Sequence, residues 1–70
     1  MTVTVEQYIG NGYYVLNEIV LLHNGTNVYV VQICPVIKGD LYGHPMLECR
    51  YTDRKKAHAT YLRYIRKYCK

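Results

Sequence analysis

The first part of the chain alternates between apolar and polar residues in a way that predicts β-strands. Thr2 to Tyr8 alternates with a period of two, which is the side-chain period of a strand. Tyr13 to His23 is rich in β-branched, aromatic and leucine residues and predicts a second strand. Thr26 to Ile37 and the short stretch Met46 to Tyr51 predict two more, and a loop with two glycines, Lys38 to Pro45, separates them.

The second and third predicted strands are joined by Asn24-Gly25, the strongest two-residue hairpin signal. A two-residue turn puts His23 opposite Thr26, and this pairing fixes which residues share a face. One face then carries Val15, Asn17, Ile19 and Leu21 with Val28, Val30, Gln32 and Cys34. The other face carries Tyr14, Leu16, Glu18, Val20 and Leu22 with Asn27, Tyr29, Val31, Ile33 and Pro35. Both faces are mostly apolar, so the pattern predicts that both sides of the hairpin are covered.

Helical periodicity occurs in the last part of the chain, from Asp53 to about Tyr68. Thr52 or Asp53 can cap the start of this helix with a side-chain oxygen. At 100° per residue, the face predicted to pack on the sheet consists of Ala57, His58, Tyr61, Leu62, Tyr64, Ile65, Tyr68 and Cys69. The opposite face, predicted to be exposed, consists of Lys55, Lys56, Ala59, Thr60, Arg63, Arg66, Lys67 and Lys70.

These elements predict an α+β fold: a four-stranded antiparallel β-meander (β-β-β-β-α) with one C-terminal amphipathic helix packed on one face of the sheet. A chain of 70 residues has room for one core, so residues 1–70 are expected to form a single domain.

One helix covers one face of a sheet, which leaves the other apolar face open. We expect a homodimer to cover the face that bears Val20, Leu22, Tyr29, Val31 and Ile33, or its counterpart if the helix packs there. The alternative is that a strongly curled sheet closes on itself as a partial barrel.

The net charge of +4 is divided unevenly along the chain. From Met1 to Cys49 one base stands against four acids, which gives −3. From Arg50 to Lys70 eight bases stand against Asp53, which gives +7. Such asymmetry predicts an anionic partner, although a basic surface can also serve solubility alone.

Six of the eight basic residues of the C-terminal part fall on the exposed helix face, where no acid accompanies them. A helix built only for solubility usually interleaves Glu with Lys four residues apart, because such pairs attract. Rows of Lys and Arg commonly bind phosphates, so nucleic acid or a nucleoprotein is the preferred partner and an acidic protein surface is the alternative. The predicted binding residues are Lys55, Lys56, Arg63, Arg66, Lys67 and Lys70.

The sequence contains little that predicts catalysis or metal binding. Cys34, Cys49 and Cys69 lack the close spacing of zinc or redox motifs. Asp40 and His44 could form a general-base pair, but no nucleophile accompanies them. We therefore expect no enzyme activity, no cofactor, no metal and no disulfide.

Tyrosines offer a further possible binding feature, since exposed rings can stack on unpaired bases. The alternative is that the rings lie at the edge of the core. The residues concerned are Tyr13, Tyr14, Tyr29 and Tyr42.

The resulting hypothesis is a small, non-enzymatic regulatory protein that binds nucleic acid or a nucleoprotein through its basic helix. No signal peptide opens the sequence and no apolar run reaches the roughly 18 residues of a membrane span, so a cytoplasmic location without membrane contact is expected. The alternative function is that of a protein inhibitor or adaptor acting through the sheet face or edge. A phage or mobile-element factor that blocks a host nuclease complex is one example.

Overall fold

The computed structural model of the chain describes residues 2–36 and 45–70. Four antiparallel strands form one open sheet in the order β1-β2-β3-β4, and a helix follows them. The elements are β1 (Thr2–Gly10), β2 (Tyr13–Leu21), β3 (Asn27–Pro35), β4 (Leu47–Tyr51), α1 (Arg54–Tyr64) and a π-helical segment that continues α1 (Ile65–Cys69). The predicted α+β fold, a meander followed by one helix packed on it, is confirmed.

Two sequence predictions concern residues outside the described ranges. The proposed pair of Asp40 and His44 and the stacking candidate Tyr42 lie there, as does the predicted end of the third strand at Ile37. The alternative of a closed partial barrel is wrong, because β1 and β4 are the two edges of an open sheet.

Strand β1 ends at Gly10, two residues beyond its predicted end at Tyr8, because the hairpin turn that follows it is tight. Asn11 and Gly12 both have positive φ, 51° and 80°, as a two-residue type I′ turn requires. The turn pairs Gly10 with Tyr13, so the ladder continues to the end of both strands.

The second hairpin has a three-residue loop, so the predicted pairing of His23 with Thr26 is wrong. Leu22 faces Thr26 instead, and its N–H donates to the Thr26 carbonyl at 3.0 Å. The Gly25 N–H donates to the Leu22 carbonyl, and Gly25 has a φ of 82°. This is a type I turn closed by a left-handed glycine, and it shifts the register by one residue. The Asn24 side chain accepts from the Thr26 N–H at 3.0 Å.

The shifted register changes which residues share a face. Odd-numbered residues of β2 now pair with odd-numbered residues of β3, as in Val15 with Ile33 and Asn17 with Val31. The helix packs on this side, called here the core face. The even-numbered residues of both strands lie on the other side, called here the open face. The expected grouping was therefore wrong, because it joined Val20 and Leu22 of the open face to Tyr29, Val31 and Ile33 of the core face.

The hydrophobic core lies between the core face and the helix. α1 contacts β2, β3 and β4, and the π-helical segment contacts β1 and β2, so the helix crosses the sheet from one edge to the other. Partly buried tyrosines surround the buried residues, with their rings packed against them: Tyr13, Tyr29, Tyr51, Tyr64 and Tyr68. Tyr13 and Tyr29 are thus part of the core edge. The buried residues are Val15, Val31, Ile33, Ala57, Tyr61, Ile65 and Cys69.

The helix is rotated from its predicted orientation. Thr60, expected to be exposed, is 3% exposed, whereas His58 and Leu62, expected to be packed, are exposed. The Thr60 hydroxyl donates to the Tyr51 hydroxyl of β4 at 2.8 Å. This bond satisfies the buried hydroxyl and allows a polar residue to face the sheet.

Candidate anion-binding surface

All six predicted binding residues are exposed, on α1, on the π-helical segment or directly after it. They are called the basic surface here: Lys55, Lys56, Arg63, Arg66, Lys67 and Lys70. The buried residues of the same elements pack against the sheet. This packing leaves the six cations on the solvent side of the helix.

Three of these cations lie together around one groove. Arg63, Arg66 and Lys67 line a hollow of about 500 Å³ with Ala59. Ala59 precedes Arg63 by four residues and Arg66 by seven, a spacing that puts residues on one side of a helix. The short side chain of Ala59 leaves room between the longer ones, so the groove is a shallow, wide-open depression bordered by three positive charges.

Lys56 and Lys55 lie apart from this groove, in two other hollows. Lys56 shares a hollow with Arg50 and Asp53, at the junction between β4 and α1. Lys55 and Arg54 line a cleft of about 530 Å³ between α1 and β1. Five of the six residues thus line three different hollows, and Lys70 lines none of them.

No salt bridge neutralises the basic surface within the part of the chain that the structure describes. The salt bridges found there join Arg50 to Glu48 at 3.5 Å and His58 to Glu6 at 2.9 Å. Asp53 caps α1, and its Oδ1 accepts from the Lys55 N–H at 2.8 Å. The first turn of α1 contains no acidic residue, so the charge of the basic surface is available to a partner.

Two cations of the groove have defined positions. The Arg63 guanidinium donates to Thr60 Oγ1 at 3.1 Å, and Thr60 is itself bonded to Tyr51. The Lys67 ammonium lies 5.4 Å from the centre of the Tyr68 ring, within the range of a cation–π interaction. Such contacts reduce the side-chain entropy that is lost on binding.

The cleft beside β1 contains residues that sequence reasoning did not assign to a site. The Glu6 carboxylate accepts from Asn17 Nδ2 and contacts His58 Nδ1, both at 2.9 Å. Arg54 and His58 are four residues apart, and that spacing could have placed them on one side of the helix. Nothing in the sequence could have paired Glu6 with His58, because 52 positions separate them.

Two cysteine thiols and one tyrosine hydroxyl that are buried or half-buried have raised pKa values. Burial raises the pKa of the Cys34 and Cys69 thiols, and a buried thiol of this kind stays protonated at neutral pH. Burial, followed by a hydrogen bond to Cys49, raises the pKa of Tyr64 to about 12. Neither Cys34 nor Cys69 therefore has the lowered pKa of an activated nucleophile.

Two further site types are not found in the ranges 2–36 and 45–70. No group of three or more His, Cys, Asp or Glu side chains there is arranged to hold a metal ion. No helix in these ranges combines the length and the apolar character that crossing a membrane requires. Cys34, Cys49 and Cys69 are free thiols.

Comparisons with known proteins found no match to the chain: no protein-family model, no curated protein and no solved structure is significantly similar to it.

Proposed function

We propose that the protein is a small non-enzymatic binding protein that holds the phosphate backbone of a nucleic acid on its basic surface. The observation that supports this most directly is the groove of Arg63, Arg66 and Lys67, which has three cations, no acid and no salt bridge to a described residue. Guanidinium and ammonium groups bind phosphate oxygens through charge-assisted hydrogen bonds, and the arginines can do so bidentately.

The expected binding mode is independent of base sequence. Contacts to phosphates fix the position of a protein on nucleic acid but do not distinguish the bases. Each neutralised phosphate releases counterions, so affinity falls with salt at a slope of about −0.9 per contact on duplex DNA. Contacts from the three groove cations predict a slope near −2.7, and contacts from the whole basic surface predict one near −5.4.

A salt titration with fluorescently labelled oligonucleotides tests the proposal. Mixed-sequence single-stranded and duplex DNA and RNA are titrated with the protein at several salt concentrations, and binding is measured by anisotropy. Arg66→Gln is expected to weaken binding to every sequence and to reduce the slope by about one unit, and Lys67→Gln to reduce it by about one more. Arg63 is left unchanged because it is bonded to Thr60.

The control is Arg50→Gln, which removes the same charge from β4. Arg50 shares a hollow with Lys56 but lies outside the groove of Arg63, Arg66 and Lys67, so its substitution should reduce the slope less than Arg66→Gln does. The proposal is wrong if none of the four nucleic acids binds at low salt, or if Arg50→Gln and Arg66→Gln have equal effects. Absence of binding would favour the protein inhibitor or adaptor described above.

A further inference from the structure

The open face has an apolar centre and a polar rim. Its centre is formed by the even-numbered residues of the two middle strands, and the edge strands add polar residues on both sides, a distribution that is typical of protein interfaces. The helix packs on the other face and covers none of it. The apolar residues are Leu16, Val20, Val28, Val30 and Cys34, followed by Leu22 directly after β2. Tyr14 and Gln32 of the middle strands also lie on this face, and the Gln32 amide donates to Glu48 at 2.6 Å. The edge strands contribute Thr2, Thr4, Gln7, Glu48 and Arg50, together with the exposed Ile9.

Glu18 is a half-buried carboxylate in the middle of this apolar centre. It lies between Leu16 and Val20 along β2 and opposite Val30 of β3. No residue that the structure describes forms a hydrogen bond or a salt bridge with its carboxylate. A partly buried charge without a counter-charge costs free energy, so this position favours a cation supplied from outside the subunit.

One row across the sheet contains a cation, Arg50, in a position symmetric to Glu18. The Arg50 guanidinium also lies 3.5 Å from the Glu48 carboxylate of the same strand, and both side chains of that pair are exposed to solvent. Thr4, Glu18, Val30 and Arg50 are successive partners across the four strands, so Glu18 and Arg50 flank Val30 on the same face. Each is one strand spacing, about 4.8 Å, from Val30. Val30 is 7% exposed and lies in a shallow apolar hollow of about 150 Å³ with Val20, Leu22, Val28 and Arg50.

We propose that the open face is the interface of a homodimer whose two-fold axis runs parallel to the strands above Val30. A rotation of 180° about this axis moves a residue from the β2 side of Val30 to the β4 side. Its position along the strand direction does not change. Glu18 of one copy then faces Arg50 of the other, and the reverse pair forms on the opposite side of the axis. The two Val30 side chains meet on the axis, and the strand directions of the two sheets stay nearly aligned, as in packed sheets generally.

The charge of the open face distinguishes a second copy from the anionic partner of the basic surface. The face has two acids, Glu18 and Glu48, and one base, Arg50, so it does not attract an anion. Strand dimensions give a contact area of roughly 500 Å² per copy, or about 1,000 Å² in total, which is the lower end of specific interfaces. The dimer should therefore be weak and should dissociate on dilution.

Sedimentation velocity across a concentration series measures this association. The parent protein is expected to change from monomer to dimer between about 1 μM and about 1 mM. Glu18→Arg alone, or Arg50→Glu alone, places like charges opposite each other at both sites and should weaken dimerisation at least tenfold. The double variant Glu18→Arg/Arg50→Glu restores opposite charges and should dimerise like the parent protein.

The double variant is the matched control, since it has the composition and net charge of the parent protein. A parent protein that stays monomeric at about 1 mM overturns the proposal. So does a double variant that dimerises as poorly as the single ones, provided that all variants show the parent's melting behaviour. Arg66→Gln should leave the dimer intact, so this inference and the nucleic-acid proposal can fail independently.

Discussion

Gly10 lies where the end of the helix meets the first hairpin. The Asn11 side-chain amide donates to the Tyr68 carbonyl at 3.1 Å and attaches the π-helical segment to the β1–β2 turn. A Cβ atom at Gly10 would lie 3.0 Å from the Cys69 carbonyl oxygen and 3.0 Å from the Tyr8 ring. The absence of a side chain at this position therefore permits the close approach of helix and hairpin.

Gly10→Ala is expected to lower the free energy of unfolding by about 1–3 kcal/mol, the usual range for overpacking. Urea denaturation measures it as a lower midpoint with an unchanged slope. Gly25→Asn is the control, because Gly25 has open space around its Cα and asparagine tolerates the positive φ there. Equal losses from the two substitutions would contradict the steric explanation.

Tyr64 is expected to make the fold less stable at alkaline pH. Its hydroxyl lies 3.0 Å from the Cys49 sulfur, and its pKa is raised from 10.0 to about 12, chiefly by burial. The raised pKa means that the folded protein favours the neutral phenol. This contribution is fully present below pH 10 and is lost as the pH rises towards 12, because the unfolded chain ionises first. Burial shifts the pKa values of Tyr61, Cys34 and Cys69 in the same direction.

Tyr64→Phe should therefore flatten the dependence of stability on pH above 10. At neutral pH the substitution removes the hydrogen bond to Cys49 and should cost about 1 kcal/mol. Denaturation curves recorded at steps from neutral pH to 12 give the comparison. Parallel loss of stability in Tyr64→Phe and the parent protein between pH 10 and pH 12 would show that Tyr64 is not the group responsible.

At the scale of elements, the strands and the helix could be predicted from the sequence, but the register of the second hairpin could not. Asn11-Gly12 and Asn24-Gly25 are the same dipeptide, yet one forms a two-residue turn and the other is part of a three-residue loop. The local conformational preferences of this dipeptide are compatible with either kind of turn. The observed register places Val31 and Ile33 under the helix, opposite Asn17 and Val15. The predicted register would have placed Gln32 and Cys34 there instead, so we attribute the choice between them to tertiary packing.

The helix shows the same limit of local prediction. Its existence, its cap at Asp53 and the exposure of its cations follow from sequence pattern. In its observed rotation, the Thr60 hydroxyl bonds to Tyr51 on a different element, a contact that the pattern along the helix does not reveal. The π-helical turn after Tyr64 further changes the angle between successive side chains, and periodicity at 100° per residue does not anticipate it.

Adjacent helix positions with opposite exposure test this orientation. Tyr61 is 5% exposed and Leu62 is 38% exposed. Tyr61→Ala should remove about 3–5 kcal/mol of stability, in line with loss of a buried aromatic ring. Leu62→Ala should cost less than about 1 kcal/mol. Thermal melts provide the comparison, and similar melting temperatures for the two variants would mean that the helix is oriented differently.

For the molecule as a whole, the sequence indicated which residues are basic and exposed but not how they are grouped. Exposure follows from helix periodicity, which is local. The groove of Arg63, Arg66 and Lys67 depends on the small side chain between them, and the cleft beside β1 depends on a strand more than 40 positions away. The proposed dimer would place its two basic surfaces on opposite outer sides, since each helix lies behind its own sheet. Such a dimer could contact two separate nucleic-acid segments.

The order of elements along the chain also has a consequence for synthesis. Each strand of the meander pairs with the strand made just before it, so the sheet can assemble as the chain emerges from the ribosome. The helix that covers Val15, Val31 and Ile33 follows all four strands, and until it emerges the core face of the nascent sheet is exposed to water. During that interval the growing chain presents an apolar surface on which chaperones can act.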